Sequence, residues 1–187
     1  MSARRDEVLR AALGLLDEVG LDDLTTRRLA DRLGVRPSAL YRHFASKQAL
    51  LDAMVTHIAS AASADEPAMN AAADRGDWVT LVRLSATAAR AGMLVHRDGA
   101  RLMATFVEPS PEVLVNWRRF IAVLASAGLT EPMAIVAVDT IFSYVNGFAI
   151  EEQARSGGGR PRADRDRTFA SGLELIITGI RAALPVR

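Results

Sequence analysis

Apolar side chains recur at intervals of three and four residues along most of the chain, which predicts α-helices. Nothing alternates with a period of two for long enough to predict a β-sheet. The first apolar stripe ends before Gly20 and consists of Val8, Ala12, Leu15, Leu16 and Val19. We therefore predict an all-α protein.

Start and stop signals divide the rest of the chain into further helices. Ser46 can cap a helix whose core face carries Leu50, Leu51, Met54 and Ile58. A short helical piece is predicted near 96–105. Longer helices are predicted from Asp77, from Ser110 to Gly128, from Thr130 to about Arg155, and from about Arg167 to Leu184.

Two segments lack an apolar stripe. The alanine-rich stretch 59–73 contains Pro67, and we expect a helix end followed by a loose connection there. Residues 156–166 are rich in glycine and arginine and predict a mobile, solvated linker. Gly147, Gly172 and Gly179 lie inside predicted helices, which indicates close helix contacts.

The stretch from Thr25 to Phe44 predicts two short helices joined by a tight turn. Thr25 or Thr26 can cap the first helix, and Gly34 supplies the left-handed residue that ends it. Pro37 lies in the first turn of the second helix, where proline is tolerated. The pattern is typical of a helix-turn-helix.

The second of these helices has a small core face. Leu40 and Phe44 are four residues apart and face inward, so the opposite face is free to enter a DNA major groove. The residues that remain on or beside that outer face are Arg36, Ser38, Ala39, Tyr41, Arg42 and His43.

Charge supports this interpretation only locally. The chain as a whole has a net charge of +1, which indicates no general affinity for polyanions. Between Leu24 and Lys47, however, there are six basic residues and one acidic residue, Asp31. The local net charge is therefore +5, which is the kind of positive surface that phosphate binding needs. A solvated basic helix face is the alternative. The basic residues are Arg27, Arg28, Arg32, Arg36, Arg42 and Lys47.

Composition narrows the possible classes of protein. The chain has no cysteine, so disulfides and thiolate metal sites are excluded. We expect neither a metal nor another cofactor. No apolar run is expected to reach the length of a membrane span, and the N-terminus has the pattern of a helix and not of a signal peptide. We expect a cytoplasmic protein without membrane partners.

An enzyme is a competing class. His43, His57 and His96 are far apart, and no nucleophile or metal spacing accompanies them. Glu151 and Glu152 are adjacent, and neighbours on a helix point about 100° apart, so they do not share a site.

The runs 24–30, 34–35, 40–44 and 47–51 together resemble the TetR family of bacterial transcriptional repressors. The segments 96–101, 147–153 and 172–177 look like the C-terminal domain of the tetracycline repressors.

This resemblance implies a helix-turn-helix head, 1–46, and a ligand-binding and dimerisation body, 47–187. It implies a homodimer formed through the helices near 132–155 and 167–184. Two heads would bind a double-stranded palindromic operator with half-sites about one turn, ~34 Å, apart. A small-molecule effector would release the DNA. The alternatives are a constitutive DNA-binding dimer without an effector, or two helices that merely complete a monomer core.

The resemblance also implies roles for residues of the head. Arg27 is the candidate for a guanine contact, and Ser38 and Ala39 can reach base edges. Arg42 and Pro37 stand where tetracycline repressors carry an aromatic and a polar residue, so their operator sequence does not transfer. Tyr41, His43 and Lys47 match phosphate-contacting positions. Thr26 and Arg36 complete the predicted DNA-contact set.

In the body, the departures from tetracycline repressors matter more than the likeness. Their metal-ligating histidine corresponds to Met103, and a thioether is a poor ligand for a hard cation. Of the drug-binding residues of the tetracycline repressors, only a glutamate is kept here, as Glu151. In those repressors this glutamate reaches into the site from the partner subunit. The other replacements are Phe106 for a threonine, Ser63 for a histidine, Ser85 for an asparagine, Ala89 for a phenylalanine and Phe120 for a glutamine.

We therefore expect that the metal–drug site is lost. A cavity for a mostly apolar or aromatic ligand would take its place. Its predicted lining includes Met103, Phe106, Trp117, Phe120, Tyr144 and Asn146. The alternative is that these side chains are simply core.

Overall fold

The computed structural model describes residues 3–61, 66–155 and 161–185. Within these ranges the chain forms ten helices and no strand, which confirms the all-α prediction. The helices are α1 (Ala3–Val19), α2 (Thr26–Leu33), α3 (Pro37–Leu40), α4 (Lys47–Ala61), α5 (Glu66–Asp74), α6 (Trp78–Val95), α7 (Gly99–Met103), α8 (Pro111–Ser126), α9 (Glu131–Ala154) and α10 (Arg162–Ala183).

Helices α1 to α4 form the head around one apolar cluster. The stripe predicted in α1 packs here, and Leu16, Leu29 and Met54 are completely buried. The Ser46 hydroxyl caps α4 by accepting a hydrogen bond from the backbone N–H of Ala49 at 3.0 Å. Since the core face of α4 belongs to this head cluster, α4 packs as part of the head. The boundary at residue 46 stays a sequence prediction.

Helices α5, α6, α8, α9 and α10 enclose a second apolar cluster, the core of the body. Ile141 of α9 and Ile177 of α10 are completely buried in it. Gly172 allows the close approach of these two helices, because a Cβ there would overlap the hydroxyl of Tyr144. Within this chain a Cβ at Gly147 or Gly179 would meet nothing within 4 Å, so the expected close contact is confirmed at Gly172 alone of the three.

The loose connection expected up to residue 73 is wrong for the part after residue 65. Residues Glu66–Asp74 form helix α5, and Ala72 is completely buried in the body cluster. Pro67 does not interrupt this helix because it occupies the first turn, where no intrahelical N–H bond is lost. Residues 62–65 lie outside the described residues.

The last helix begins earlier than predicted. The sequence predicts a linker as far as Asp166, but α10 already starts at Arg162; residues 156–160 lie outside the described residues. Arg165 and Asp166 are tied to the body by ion pairs of 2.8 Å to Glu152 and Arg90 respectively. These ion pairs hold the first turn of α10, whose composition had predicted a linker.

The expectation about membrane-length apolar runs also needs correction. Among the described residues, helix Glu131–Ala154 has the length and mean hydropathy, 1.6, of a membrane span, and 33% of its most apolar 18-residue window is buried. Core helices of soluble proteins have the same properties. Met133, Ile135 and Val136 on this helix are exposed in the single chain.

Candidate functional site

The predicted helix-turn-helix forms with the predicted caps. The Thr25 hydroxyl accepts a hydrogen bond from the backbone N–H of Arg28 at 3.2 Å, so Thr25, and not Thr26, caps α2. Gly34 ends α2 in the left-handed region, with φ of 64°. Leu40 and Phe44 are each only 4% exposed, which fixes α3 and the turn after it against the head core.

The opposite side of this unit faces solvent. Three residues of the predicted DNA-contact set, Thr26, Ala39 and His43, are half-buried at its edge. Tyr41 is 52% exposed, so its ring and hydroxyl are accessible on this side. The remaining members of the set are exposed, namely Arg27, Arg36, Pro37, Ser38, Arg42 and Lys47.

Ion pairs make the basic surface smaller than the sequence count indicates. Arg28 pairs with Asp23 at 3.2 Å, and Arg32 pairs with Glu18 at 2.6 Å. Both carboxylates precede the stretch over which the sequence charge was counted, so the count missed them. Among the described residues, no ion pair involves the four remaining cations. These are Arg27, Arg36, Arg42 and Lys47, which we call the basic patch.

In the body, two of the predicted effector residues meet through a third aromatic ring. The rings of Trp117 and Phe120 lie 6.1 and 5.8 Å from that of Phe142, which the sequence did not single out. Tyr144 belongs to a different group. It stacks on Phe169 at 5.5 Å and donates a hydrogen bond to the Phe169 carbonyl at 2.9 Å. Burial raises the pKa of the Tyr144 hydroxyl.

The remaining predicted effector residues are spread over the body. Met103 packs against both apolar clusters, and Phe106 packs against the head cluster. Ala89 is half-buried at the body cluster, and the Ser85 hydroxyl lies 3.7 Å from the Met69 sulfur. Ser63 lies outside the described residues. The described members of the set are therefore spread from the body cluster to the head cluster and do not form one group.

Two polar members of the predicted effector set lie on α9 and differ in burial and in hydrogen bonding. The Glu151 side chain is 66% exposed and pairs with Arg155 at 3.1 Å, so it does not enter the body of its own chain. Asn146 is half-buried, and its Oδ1 atom is buried without a hydrogen-bond partner among the described residues.

The body contains a buried ionic network that no sequence pattern indicated. Arg90 and Glu152 are each 8% exposed, and the guanidinium donates two hydrogen bonds, of 2.8 and 3.0 Å, to the carboxylate. Asp166 and Arg165 extend the network. The guanidinium also lies 4.8 Å from the centre of the Phe169 ring. No local signal reveals such a pair, because its members are 62 residues apart.

A second feature that the sequence did not reveal is the contact between body and head. We call residues 96–107 the corner, because they connect α6 to α8 through α7. The Asp17 carboxylate of α1 accepts a hydrogen bond from the backbone N–H of Arg97 at 2.9 Å and faces the His96 ring at 3.0 Å. The Arg97 guanidinium donates to the Glu18 carbonyl at 2.9 Å.

The corner also holds the turn between α1 and α2. Asp98 adopts a left-handed conformation, with φ of 56°, and its carboxylate accepts from the backbone N–H of Leu21 at 2.9 Å. Arg101 forms two hydrogen bonds with Asp22, at 2.8 and 3.2 Å. Leu102 is completely buried in the head cluster. The corner is thus attached to the head by charge and by packing.

On its other side the corner is attached to α9 and α4. The Gln153 amide donates to the carbonyls of Met93 and His96, at 3.1 and 2.8 Å, and accepts from the backbone N–H of Ala100 at 3.0 Å. Gln48 of α4 donates to the Thr105 carbonyl at 2.9 Å. The corner is therefore bonded to the body through α9 and to the head through α4 and the turn between α1 and α2.

Comparison with known families and proteins agrees with this architecture. Residues 8–54 match the bacterial regulatory proteins of the tetR family, and residues 70–165 match the tetracyclin repressor-like C-terminal domain. The class A tetracycline repressor of transposon 1721, from Escherichia coli, is 40% identical over 79% of this chain and 66% of its own length. The Escherichia coli class C repressor is 35% identical over 90% and 74% respectively.

Solved structures match over nearly the whole chain. BioQ with its natural double-stranded DNA operator is 33% identical, with a TM-score of 0.75 over 97% of this chain and 99% of BioQ. A glutamine-to-alanine variant of TetR from Acinetobacter baumannii AYE, in complex with minocycline, is 32% identical, with a TM-score of 0.80 over 100% and 99%. On the evidence of both domains and of the full-length structural matches, this chain belongs to the TetR family of bacterial transcriptional regulators.

Proposed function

We propose that this chain, a DNA-binding regulator, binds a palindromic operator as a cytoplasmic homodimer and is released by a small, mostly apolar ligand. The observation that carries the proposal is the basic patch beside an outward-facing recognition helix. Arg27 can form two hydrogen bonds to a guanine, and Lys47 and Tyr41 are suited to phosphate contacts. The similarity to BioQ, whose structure contains a DNA operator, supports this assignment.

Exposed apolar side chains on α9 and α10 support the proposed dimer. Met133 and Val136 of α9 are 46% and 53% exposed, and Leu175 of α10 is 75% exposed. Gly147 and Gly179 leave open space on the same two helices, which permits a second copy to approach closely. A two-fold interface of this kind presents two recognition helices to two half-sites.

The chemistry of the body favours an apolar effector. A minocycline complex is known for the Acinetobacter relative, but here the corresponding residues offer little to a hydrated metal–drug complex. Met103 supplies sulfur and Phe106 supplies a hydrocarbon ring where oxygen or imidazole ligands are needed. Trp117 and Phe120 are suited to an aromatic or aliphatic ligand.

The corner provides a route from effector to DNA. Met103, a predicted effector contact, follows Leu102, which is buried in the head core. A ligand that moves α7 would also move Asp98 and Arg101, which are bonded to the turn between α1 and α2. To reduce DNA affinity by a factor of about 100, the effector must favour the released state by about 2.7 kcal/mol.

Selection from a random duplex pool tests the DNA-binding part of the proposal. We expect the enriched sequences to contain an inverted repeat bound by two chains, with the stoichiometry measured by native mass spectrometry. Lys47→Ala should weaken binding to all sequences alike and lower the magnitude of the logarithmic salt slope by about 0.9 for each phosphate that is no longer neutralised. Enrichment of no inverted repeat would contradict the proposal.

The same purified dimer separates the alternatives. Native mass spectrometry can detect a retained small molecule, and a candidate effector should both raise the melting temperature and release the selected duplex. A constitutive DNA-binding protein would show stable DNA binding with no such compound. Turnover of the compound would instead favour an enzyme.

A further inference from the structure

Asn146 presents an unsatisfied polar atom inside the body. Its Oδ1 is buried and has no hydrogen-bond partner among the described residues. Only one other buried side-chain oxygen among those residues, on Asp6 of the head, is in the same condition. Buried polar groups are nearly always hydrogen-bonded, so an exception in a ligand-binding body calls for a specific explanation.

The position of Asn146 on α9 places it on a defined stripe. Asn146 is four residues after Phe142 and seven before Gln153, so the three residues lie within about 40° of one another around the helix axis. The Phe142 ring contacts Trp117 and Phe120 of α8. Asn146 therefore lies between an aromatic group and the point where α9 is bonded to the corner.

Gln153 shows what a structural amide on this stripe looks like. It donates to the carbonyls of Met93 and His96 and accepts from the N–H of Ala100. The Oδ1 atom of Asn146 has no such bond. Since both amides lie on the same face of α9, the difference indicates that Asn146 is not needed to hold the helices together.

We propose that Asn146 is the polar anchor of the effector site and selects an aromatic ligand that carries a hydroxyl or N–H donor. This inference rests on the proposed ligand response. The aromatic group of Trp117, Phe120 and Phe142 would contact the ring of the ligand, and Oδ1 would accept its hydrogen bond. Apolar walls with one polar group are the usual composition of a small-molecule site.

Matched probe compounds can test this role. We use 2-naphthol, which carries a hydroxyl donor, and 2-methoxynaphthalene, which has the same ring system but no donor. By isothermal titration we expect the wild-type dimer to bind 2-naphthol about tenfold more tightly, the effect of one neutral hydrogen bond to a buried acceptor. Asn146→Leu should remove this preference while retaining affinity for 2-methoxynaphthalene.

Asn116→Leu is the matched control, because Asn116 is an exposed asparagine on α8. This variant should keep the tenfold preference. Asn146→Leu should also melt at the same or a higher temperature than the wild type without ligand, because it removes an unsatisfied buried group. A lower melting temperature of Asn146→Leu, beyond that of the control, would assign Asn146 a structural role and overturn the proposal.

The remaining outcomes separate this inference from the proposed function. Equal wild-type affinity for both probes, or a preference that survives in Asn146→Leu, would overturn the role of Asn146 alone. Failure of the wild type to bind either probe would overturn both the anchor and the aromatic class of effector. Binding to the selected duplex, measured in parallel, would leave the DNA-binding function standing in that case.

Discussion

The head and the body of this protein use polar side chains in opposite ways. Among the described residues, no polar or charged residue of the head is buried as a whole, and the basic patch lies on the surface. The body buries the charged pair Arg90 and Glu152, and among the described residues each of the two units has one buried oxygen without a partner, on Asn146 in the body and on Asp6 in the head. The head is therefore suited to present a fixed surface to DNA. In the body, the buried charges of Arg90 and Glu152 are stable only while they stay paired, so their free energy depends on the packing around them.

The largest expected effect comes from breaking the buried ion pair. We expect Arg90→Met to lower the free energy of unfolding by about 3 kcal/mol, the lower end of the range for a broken buried pair, because Glu152 loses its bidentate partner but keeps Arg165. Thermal and urea unfolding at fixed dimer concentration would measure the loss. Arg83→Met is the matched control, since its bidentate partner Glu174 is 45% exposed. The loss in this control should be much smaller, because an exposed pair is solvated and screened by salt, and equal losses would contradict the contrast between buried and exposed pairs.

The next effect concerns the metal–drug site. We expect minocycline with Mg²⁺ to bind at least about 100-fold more weakly than to the Acinetobacter relative, a difference of about 2.7 kcal/mol. The physical reason is that Met103 and Phe106 offer no oxygen or imidazole group. Isothermal titration of both proteins with minocycline, with and without magnesium, would measure the difference in affinity, and the Acinetobacter relative is the positive control. Tight binding that requires magnesium would show that the body has kept the metal–drug site.

Two neighbouring arginines of α2 test the basic patch. Arg27→Ala should cost about 1–3 kcal/mol at one base position in each half-site and relax the preference there. Arg28→Ala is its control, because Arg28 is already paired with Asp23 at 3.2 Å. Fluorescence anisotropy with the selected duplex and single-base variants would measure both. If the two variants lost the same affinity and selectivity, the distinction between paired and unpaired cations would fail.

The smallest effect is a pH dependence at the corner. A hydrogen bond and the charge of Arg101 lower the pKa of Asp22 below its usual 3.8. Because the folded-state pKa is below the unfolded one, the stabilising contribution is present at neutral pH and is lost as pH falls below about 4. An asparagine at position 22 does not ionise, so its contribution to stability does not change with pH. The melting temperatures of Asp22→Asn and the wild type should therefore converge at low pH. A constant difference between about pH 3 and 7 would exclude this pairing.

Prediction from sequence succeeded where the signals are local. The Thr25 cap, the left-handed Gly34 and the inward pair Leu40 and Phe44 each depend on neighbours within a few residues, and all appear in the structure. The assignment of the DNA-contact residues and of the effector residues stays a prediction, since it depends on positions relative to ligands.

The features that sequence did not reveal depend on distant contacts. The start of α10 at Arg162 is fixed by pairs that join Arg165 and Asp166 to α9 and α6. The buried state of Arg90 likewise requires Glu152, which lies 62 residues away. Charge counting over one stretch could not detect that carboxylates outside it neutralise Arg28 and Arg32.

The central claim is that a ligand in the body moves the corner and the heads attached to it, and thereby releases the operator; such a movement would change the distance between the two heads. Because the chain has no cysteine, Arg10→Cys on the exposed side of α1 allows one spin label per head. Double electron–electron resonance would measure the distance between labels in the operator-bound dimer before and after addition of 2-naphthol. We expect one narrow distance with DNA, and a different distance, with release of the duplex, once the ligand binds. Saturation of the body with ligand at an unchanged distance and unchanged DNA affinity would contradict the claim.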